Sequence, residues 1–521
     1  FAQAGSAVDL EPTIGAVQLK DWSFGNAFTQ FERGGLLGRL FFNWNDSGES
    51  FSLWAARPLE DHSNVLAGQI QHARALGGGS TIQYGADFRR TDPRTNGTIH
   101  GRNEDRDVVS EMGAYVLGTI PLSRQLELSA ALRGDYHDRI DGVGVSPRLG
   151  LVFKPSETQA LRVTYGRGFA TPDANDLFAD LFVETAAWYD VRVSGMPREG
   201  YQFSRDCGGL CMRSPMTTNP DSLRSSDASG LWPAAVQLIL DSLGQDLSGI
   251  PAPTATDVGS YLATLDGLVD PAEIEDYDPE RRSTTDALEL GYKALLGDRF
   301  RVGVDFTVSF VHDFFGPGVV GTPFAFLESS SLEAYLAQFM PAADAAVLAD
   351  TLSQIPLGVV NPLNSPDPND VLILRHQGGE FTRLGVDLDL EYALSDRLTI
   401  GGTYSWVNRD SIGSAGGSDE AVLSAPRNKG ALSATYRNRV AGWSVWGQGV
   451  AVESYPVQSG RFTGRIPSYA VLDLGGEVRV ARRPELGLAL SVTNLFDNRH
   501  QEYIGAPEIG RLLVARLRAR I

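Results

Sequence analysis

The 521-residue chain lacks any run of eighteen or more consecutive apolar residues, which excludes helical membrane spans. It also lacks a basic excess. With 45 Lys and Arg against 64 Asp and Glu, the net charge of −19 disfavours nucleic-acid binding, which needs a basic face to displace phosphate counterions. Among the basic residues only Lys20, Lys154, Lys293 and Lys429 are lysines, a bias to which we give no functional weight. Cysteine is scarce, with Cys207 and Cys211 held in Cys-Gly-Gly-Leu-Cys. That spacing allows a small disulfide-closed loop suited to an oxidising periplasmic or surface location. A metal site would need further ligands and no His lies nearby, so a disulfide is expected and no metal or cofactor. No nucleophile, base and orienting group falls together at a motif, so no catalytic residue is expected and the chain is not read as an enzyme. No signal peptide is present and the first residue is Phe1, so the chain is read as processed or as a fragment.

What the sequence has is alternation. In residues 511–521, Leu513, Ala515, Leu517, Ala519 and Ile521 fall on one face, and Val514, Arg516, Arg518 and Arg520 on the other. The same period recurs in segments of about ten residues separated by turns, the writing of a transmembrane β-barrel with apolar residues towards lipid and polar ones towards the lumen. The clearest case is residues 300–310, where Phe300, Val302, Val304, Phe306, Val308 and Phe310 alternate with Arg301, Gly303, Asp305, Thr307 and Ser309. Residues 1–15 read as irregular and 16–22 as the first strand. Further strands are expected at 37–45, 51–56, 64–76, 80–90, 108–120, 125–138, 145–154, 159–169, 284–296, 383–392, 398–406, 430–437, 443–454, 470–480 and 486–495. A mean hydropathy of −0.14 does not oppose this, because barrel strands dilute their own signal. No linker divides the chain, so one all-β antiparallel barrel domain over residues 1–521 is expected.

The connections alternate too. Short links at 77–79, 121–124, 155–158, 297–298, 394–396, 438–442 and 481–485 interleave with longer loops at 91–107, 139–144, 171–283, 315–382, 408–429, 456–469 and 496–510. Short turns on one rim and long loops on the other describe an outer-membrane barrel with the long loops extracellular and the C-terminus periplasmic. Loops 171–283 and 315–382 are large enough to hold structure. Helical spacing of Val258, Tyr261, Leu262, Leu265 and Leu268 after Asp257, and of Leu332, Tyr335, Leu336 and Phe339 after Ser331, predicts short helices in a lid or docking surface.

Several stretches then carry a family resemblance. Ser146-Pro-Arg-Leu-Gly-Leu-Val-Phe-Lys-Pro155, Leu161-Arg-Val-Thr-Tyr-Gly-Arg-Gly-Phe-Ala-Thr-Pro172 and Asn175-Asp-Leu-Phe178 resemble the mid-barrel signature of TonB-dependent outer-membrane receptors. Glu289-Leu-Gly-Tyr-Lys293, Ala425-Pro-Arg-Asn-Lys-Gly430 and Thr493-Asn-Leu-Phe-Asp-Asn-Arg499 look like further segments of that family, in the family's order. The resemblance covers residues 37–521 apart from the two large loops. It implies TonB-dependent active import of a scarce, bulky extracellular ligand, in the iron-siderophore, cobalamin or oligosaccharide class, by a receptor in outer-membrane lipid. The chain departs from the family in showing no plug or Ton box for the TonB complex, and in offering about 17–18 strands of a probable 22. An N-terminally truncated barrel unable to close on itself is therefore expected. Ile521 stands where the family usually ends in an aromatic. The alternative is a passive porin, whose usual 16 to 18 strands match the same number.

Candidate site residues follow from position. His137, Arg167, Trp188, Tyr189, Arg375 and His376 are placed at or above the outer rim, where they could face a ligand. Arg516, Arg518 and Arg520 face the lumen, where they either pair with Asp473 and Glu477 or meet a plug. Residues 103–107 and 367–370 are acidic but match no calcium-loop spacing, and are read as solvated loops. Asn494 to Asp497 is read as closing the last outer loop.

Overall fold

The computed structural model describes residues 2–11, 15–53, 56–264, 267–367, 369–377, 379–412, 421–459, 462–482 and 485–520. Its dominant element is a 20-stranded antiparallel sheet, of which two strands, Phe51–Ser52 and Arg57–Pro58, are two residues long. The other eighteen are β1 (Ala2–Glu11), β2 (Gly15–Arg33), β3 (Leu36–Asp46), β4 (Asn64–Gly77), β5 (Ser80–Asp92) and β6 (Val109–Pro121). They continue with β7 (Leu126–His137), β8 (Val143–Ser156), β9 (Gln159–Ala170), β10 (Ser283–Leu296), β11 (Phe300–His312) and β12 (Glu380–Ala393). The series ends with β13 (Leu398–Val407), β14 (Asn428–Asn438), β15 (Trp443–Val452), β16 (Tyr469–Arg482), β17 (Glu485–Thr493) and β18 (Leu512–Arg520). Each pairs with the next in sequence, an up-and-down meander.

Side-chain period and register together sort the two faces. Leu288, Leu290, Phe306 and Phe310 all lie exposed on one face, and across the ladder Leu288 meets Val308 while Leu290 meets Phe306. Arg162, Glu289 and Asp305 share the opposite face, where Arg162 pairs with both carboxylates. Greasy outside and polar inside is the barrel pattern. Aromatic pairs mark the short-turn edge of the apolar band, Phe300 with Tyr392 and Tyr436 with Trp443, as expected for rings at a water–lipid boundary. The tight links are chemically set. At Gly297–Asp298 both residues are left-handed (φ 58° and 60°), the type I′ geometry that matches strand twist.

The N-terminal stretch corrects the expectation of irregular chain, because residues 2–11 form β1 and pair with residues 15–24 of β2. The strand expected at 51–56 is reduced to Phe51–Ser52, which bonds β2 and Arg57–Pro58, and residues 54–55 lie outside the described residues. No ladder joins β18 to β1 or β2 among the described residues, and Ile521 lies outside them.

Loops 171–282 and 313–379 fold together. A parallel pairing of Val191–Ser194 with Val371–Leu374 and an antiparallel pairing of Ser260–Ala263 with Phe324–Leu327 stitch one loop to the other. Around these seams lies an apolar core drawn from both loops, including Met212, Leu231, Trp232 and Ile239 from the first and Leu327, Leu332, Leu336 and Leu352 from the second. Three helices feed it: α1 (Ala228–Leu243), α2 (Ser329–Leu336) and α3 (Ala342–Ser353). Asp227 caps α1 by accepting from the Ser229 and Gly230 amides, and Gly244, at φ 65°, ends it with its N–H donating to Leu240 O. The helix expected after Ser331 exists, with Glu328 as its cap. The helix expected after Asp257 does not: Ser260–Thr264 and Gly267–Val269 are strands, because pairing with Phe324–Leu327 outweighs an i, i+4 pattern that short apolar runs share with buried strands.

Candidate functional site

The candidate site is built from this two-loop cap and the polar inner wall. A third segment, the loop between β5 and β6, fastens the cap down. Its turn of 3-10 helix, Gly101–Arg106, presents Arg102, whose guanidinium donates to Asp180 (Nε to Oδ2 2.7 Å, Nη2 to Oδ1 2.6 Å) and to Asp370 Oδ2 (2.6 Å). Arg192 donates to the same Asp180 Oδ1 at 2.6 Å. Asp180 and Asp370 are buried and come from different cap loops, so one arginine ties three distant chain segments together. Burial raises the Asp180 carboxyl, but the bonds from Arg102 and Arg192 outweigh it and hold the pKa at about 2. Asp370 bonds one arginine where Asp180 bonds two, and there burial prevails and raises the pKa. Beside this latch, buried His100 sits 2.7 Å from Asp107 Oδ2 and 3.2 Å from Asn175 Oδ1, and Asn103 Nδ2 donates to Phe178 O. Glu104 accepts from the Thr95, Asn96 and Gly97 amides. The acidic stretches at 103–107 and 367–370 are therefore partly committed to structure, in place of the solvated loops expected. No cluster of three or more acidic, His or Cys ligands exists among the described residues.

The inner wall carries a ladder of polar groups. Gln71, Gln83 and Tyr115 bond one another; Arg133 bridges Asp87 (2.7 Å) and Asp135 (2.5 Å); Arg89 pairs with Glu111; Ser405 donates to Asp387 at 2.6 Å. Towards the short-turn end a cavity of about 1030 Å³ is lined by Lys154, Lys293 and Arg301 together with Glu157, Asp387 and Asp389. Such a surface offers hydrogen bonds of both signs to a polar occupant and no nucleophile set for covalent chemistry.

The sequence-chosen residues scatter. His137 is 3% exposed, with Nδ1 accepting from the Arg139 amide, and Tyr189 is 0% exposed within a cap cluster containing Val191 and Phe324; neither presents a surface to a ligand. Arg167 lies on the outward face of β9, bonded to Asp286 at 2.8 Å, beside a Tyr165 hydroxyl that donates to the same carboxylate. Outward placement follows from its period with exposed Leu161 and Val163. Trp188 is half-exposed at the tip of the hairpin formed by Asp180–Ala186 and Tyr189–Ser194. Arg375 and His376 are on the cap strand Val371–Gln377, and their side chains lie outside the described residues. Arg516 and Arg518 face inward beside Glu477, which Arg518 approaches at 3.6 Å. Asp473 accepts from the Asn494 amide instead, and the Arg520 side chain is outside the described residues. Asn494, left-handed at φ 54°, bonds Asn498 through both ends of its amide and closes the last loop. Cys207 and Cys211 are joined in a disulfide. Arg102, Asp180, Arg192 and Asp370 had no local signal, since residues 102, 180 and 370 meet only after the loops fold.

An antiparallel meander with an apolar outside, aromatic edges, a polar inside and large loops at one end is an outer-membrane β-barrel. A family model described as "TonB dependent receptor-like, beta-barrel" matches residues 11–495, and the chain belongs to that family. No curated protein sequence matches it. Among solved structures it is similar to the FrpB iron transporter of Neisseria meningitidis (F5-1 variant), at 10% identity and a TM-score of 0.53, covering 96% of this chain and 63% of that one. It is likewise similar to the ferric enterobactin receptor PfeA of Pseudomonas aeruginosa in complex with enterobactin (12%, TM-score 0.57, 96% and 62%). A third similar structure is the siderophore receptor PirA of the same organism (10%, 0.51, 97% and 65%). At these identities the likeness establishes the fold, and the chain spans 62–65% of the length of these three structures.

Proposed function

We propose that this chain forms the barrel of a TonB-dependent importer that takes up a scarce iron chelate through the outer membrane. The observation that carries the reading is the capped, polar-lined wall: two loops co-folded over one rim, latched by Arg102, above an inner face of paired charges. In this reading the cap end is extracellular, the short turns and C-terminus are periplasmic, and TonB supplies the mechanical work, with no bond made or broken in the ligand. The names of the similar iron and siderophore receptors support iron chelates over the cobalamin and oligosaccharide classes.

The test is uptake. In a strain deprived of its other iron receptors, the complete receptor should restore growth under iron limitation and accumulate radiolabelled iron from a panel of ferric siderophores. Accumulation that persists when TonB is deleted, together with large steady conductance in planar bilayers, would replace this reading with passive diffusion.

A further inference from the structure

Charge on the outward face is rare at the short-turn rim, and register shows where it stands. One cross-strand row on β2 to β7 runs Arg33, Leu36, His72, Tyr84, Val116, Leu132. Side chains directly opposite one another share a face, and Tyr84, Val116 and Leu132 are exposed on the lipid side. Their chain neighbours Gln83, Tyr115 and Arg133 make the lumenal bonds described above. Arg33 is therefore outward. Arg74 follows His72 by two residues and opposes Ile82, so it shares that face. Among the described side chains, the other outward strand positions bordering the short turns are uncharged, as at Leu296, Phe300, Tyr392, Tyr436, Trp443 and Val478.

The two arginines are also neighbours in space. The turn after Arg33 is Gly34–Gly35, both left-handed (φ 58° and 82°), and it packs on β4, where the Ala73 amide donates to Gly35 O at 3.0 Å. A Cβ on Gly35 would meet Ala73 O at 2.3 Å, so the close approach needs glycine. Arg33 and Arg74 thus stand two strands apart, roughly 10 Å across the sheet, near enough for both long side chains to reach one oxyanion. Both are exposed, and among the described residues neither forms an ion pair with a carboxylate. The outward carboxylates Asp286 and Glu380 lie at the cap end and are already paired, with Arg167 and His312. On the cap side of the two arginines His72 and Tyr84 form an edge-to-face pair joined by a 2.9 Å hydrogen bond, and beyond it Phe31, Leu40 and Ile70 are exposed.

We infer that Arg33 and Arg74 form a binding site for the phosphate of an anionic glycerophospholipid, whose acyl chains lie on Phe31, Leu40 and Ile70. Three features on one face select this occupant. The surface is apolar where hydrocarbon lies, the His72–Tyr84 pair stands at the boundary, and two guanidiniums without a counter-charge in the sheet stand where a headgroup phosphate would be. Two like charges side by side repel unless an anion lies between them, and the lipid supplies it. A second copy of the chain docked here about a two-fold axis would bring arginine against arginine, which opposes it. Assigning the lipid to the periplasmic leaflet rests on the orientation proposed above.

The test uses the complete receptor purified from membranes in mild detergent and read by native mass spectrometry against phosphatidylglycerol and phosphatidylcholine of matched chains. Phosphatidylglycerol should be retained at least about tenfold better, from roughly a fivefold effect per arginine engaged, and Arg33→Gln with Arg74→Gln should erase the difference. The control is Arg437→Gln with Arg479→Gln, which removes the same charge from the lumenal face, where Arg437 opposes Ser444 and Arg479 opposes Gly487; the preference should survive it. Equal retention of the two lipids, or a preference untouched by the outward pair of changes, overturns the site and leaves only annular lipid. A preference lost equally in the lumenal control overturns it too, because overall charge would then be the cause. Inorganic phosphate at matched concentration should leave the lipid in place, and displacement by it would overturn the membrane source. Heat-modifiable gel mobility checks that each variant has folded; if the double change fails that check, the single changes are read instead, each cutting the preference about fivefold. Orientation is read separately: Val440→Cys, in the 438–442 turn of the same rim, should react with an impermeant maleimide only after the outer membrane is opened. Labelling on intact cells would overturn the orientation while the micelle titration still judges the arginine site.

Discussion

The cap and the wall of this molecule bury opposite things. In the cap, Leu231, Leu327, Leu332 and Leu336 are wholly enclosed and buried charges are held by partners, Asp180 and Asp370 in the Arg102 latch and Arg213 on the carbonyls of Asp221 and Pro362, as in a water-soluble domain. In the wall, Leu290, Leu432 and Leu517 stand outward and most charges point in, the Arg167–Asp286 pair excepted. The same side chain therefore has opposite value in the two regions, and the difference is the solvent: water surrounds one, lipid the other.

The comparison is broken most severely by putting a charge into the cap core. Leu332→Asp should cost about 4 kcal/mol or more and unfold the cap alone, because the burial has no partner to offer. Proteolysis between residues 171 and 379 should rise sharply while the heat-modifiable mobility of the barrel persists; loss of both together would show that cap and wall fold as one unit. Next in size is the latch. Asp180→Ala removes the carboxylate shared by Arg102 and Arg192 and should cost about 3 kcal/mol, read as faster hydrogen exchange in residues 99–107 and 180–194. The pH dependence has a definite sign. Asp180, held at about 2, contributes fully above about pH 4 and loses its contribution as pH falls through about 2, while the raised pKa of Asp370 favours the folded form in acid. The latch should thus stay shut from pH 7 down to about 4, and opening at pH 6 would contradict it.

On the wall, Leu490→Arg should cost about 2–4 kcal/mol in lipid, whereas Leu432→Ala, 74% exposed on the same outward face, should leave detergent-solubilised stability nearly unchanged. Reducing Cys207–Cys211 opens a short loop and should cost the cap about 2 kcal/mol, visible as a lowered cap transition with no shift in the barrel. Smallest is Arg518→Ala, whose ion pair with Glu477 is largely exposed and should matter by less than about 1 kcal/mol.

Much of the wall was legible in the sequence because a strand records its environment at every second residue. Phe300 to Phe310 announces both period and facing, and Gly297–Asp298 announces the turn before it. The short links expected at 77–79, 121–124 and 297–298 join strands that pair across them, whereas the turn between Arg33 and Leu36 was not expected. The segment at 51–56 failed because five or six residues are too few to separate a barrel strand from a strap along β2. The candidate site was far less legible. Position along a strand suggested that His137 and Tyr189 were available, yet both are buried by chain arriving from elsewhere. Residues 258–268 have helical spacing, yet Ser260–Thr264 and Gly267–Val269 pair as strands because Phe324–Leu327, some sixty residues later, offers a better partner; Leu265 lies outside the described residues.

By itself, then, the sequence determined the period of each strand, the sign of each face, the order of the turns and the family to which the barrel belongs, since all of these are local patterns repeated many times. Only the tertiary structure decided that two loops would share one core and that Arg102 would meet Asp180 and Asp370. Those outcomes depend on contacts between residues far apart in the chain, whose strength comes from packing and desolvation at the meeting point, which no local window contains.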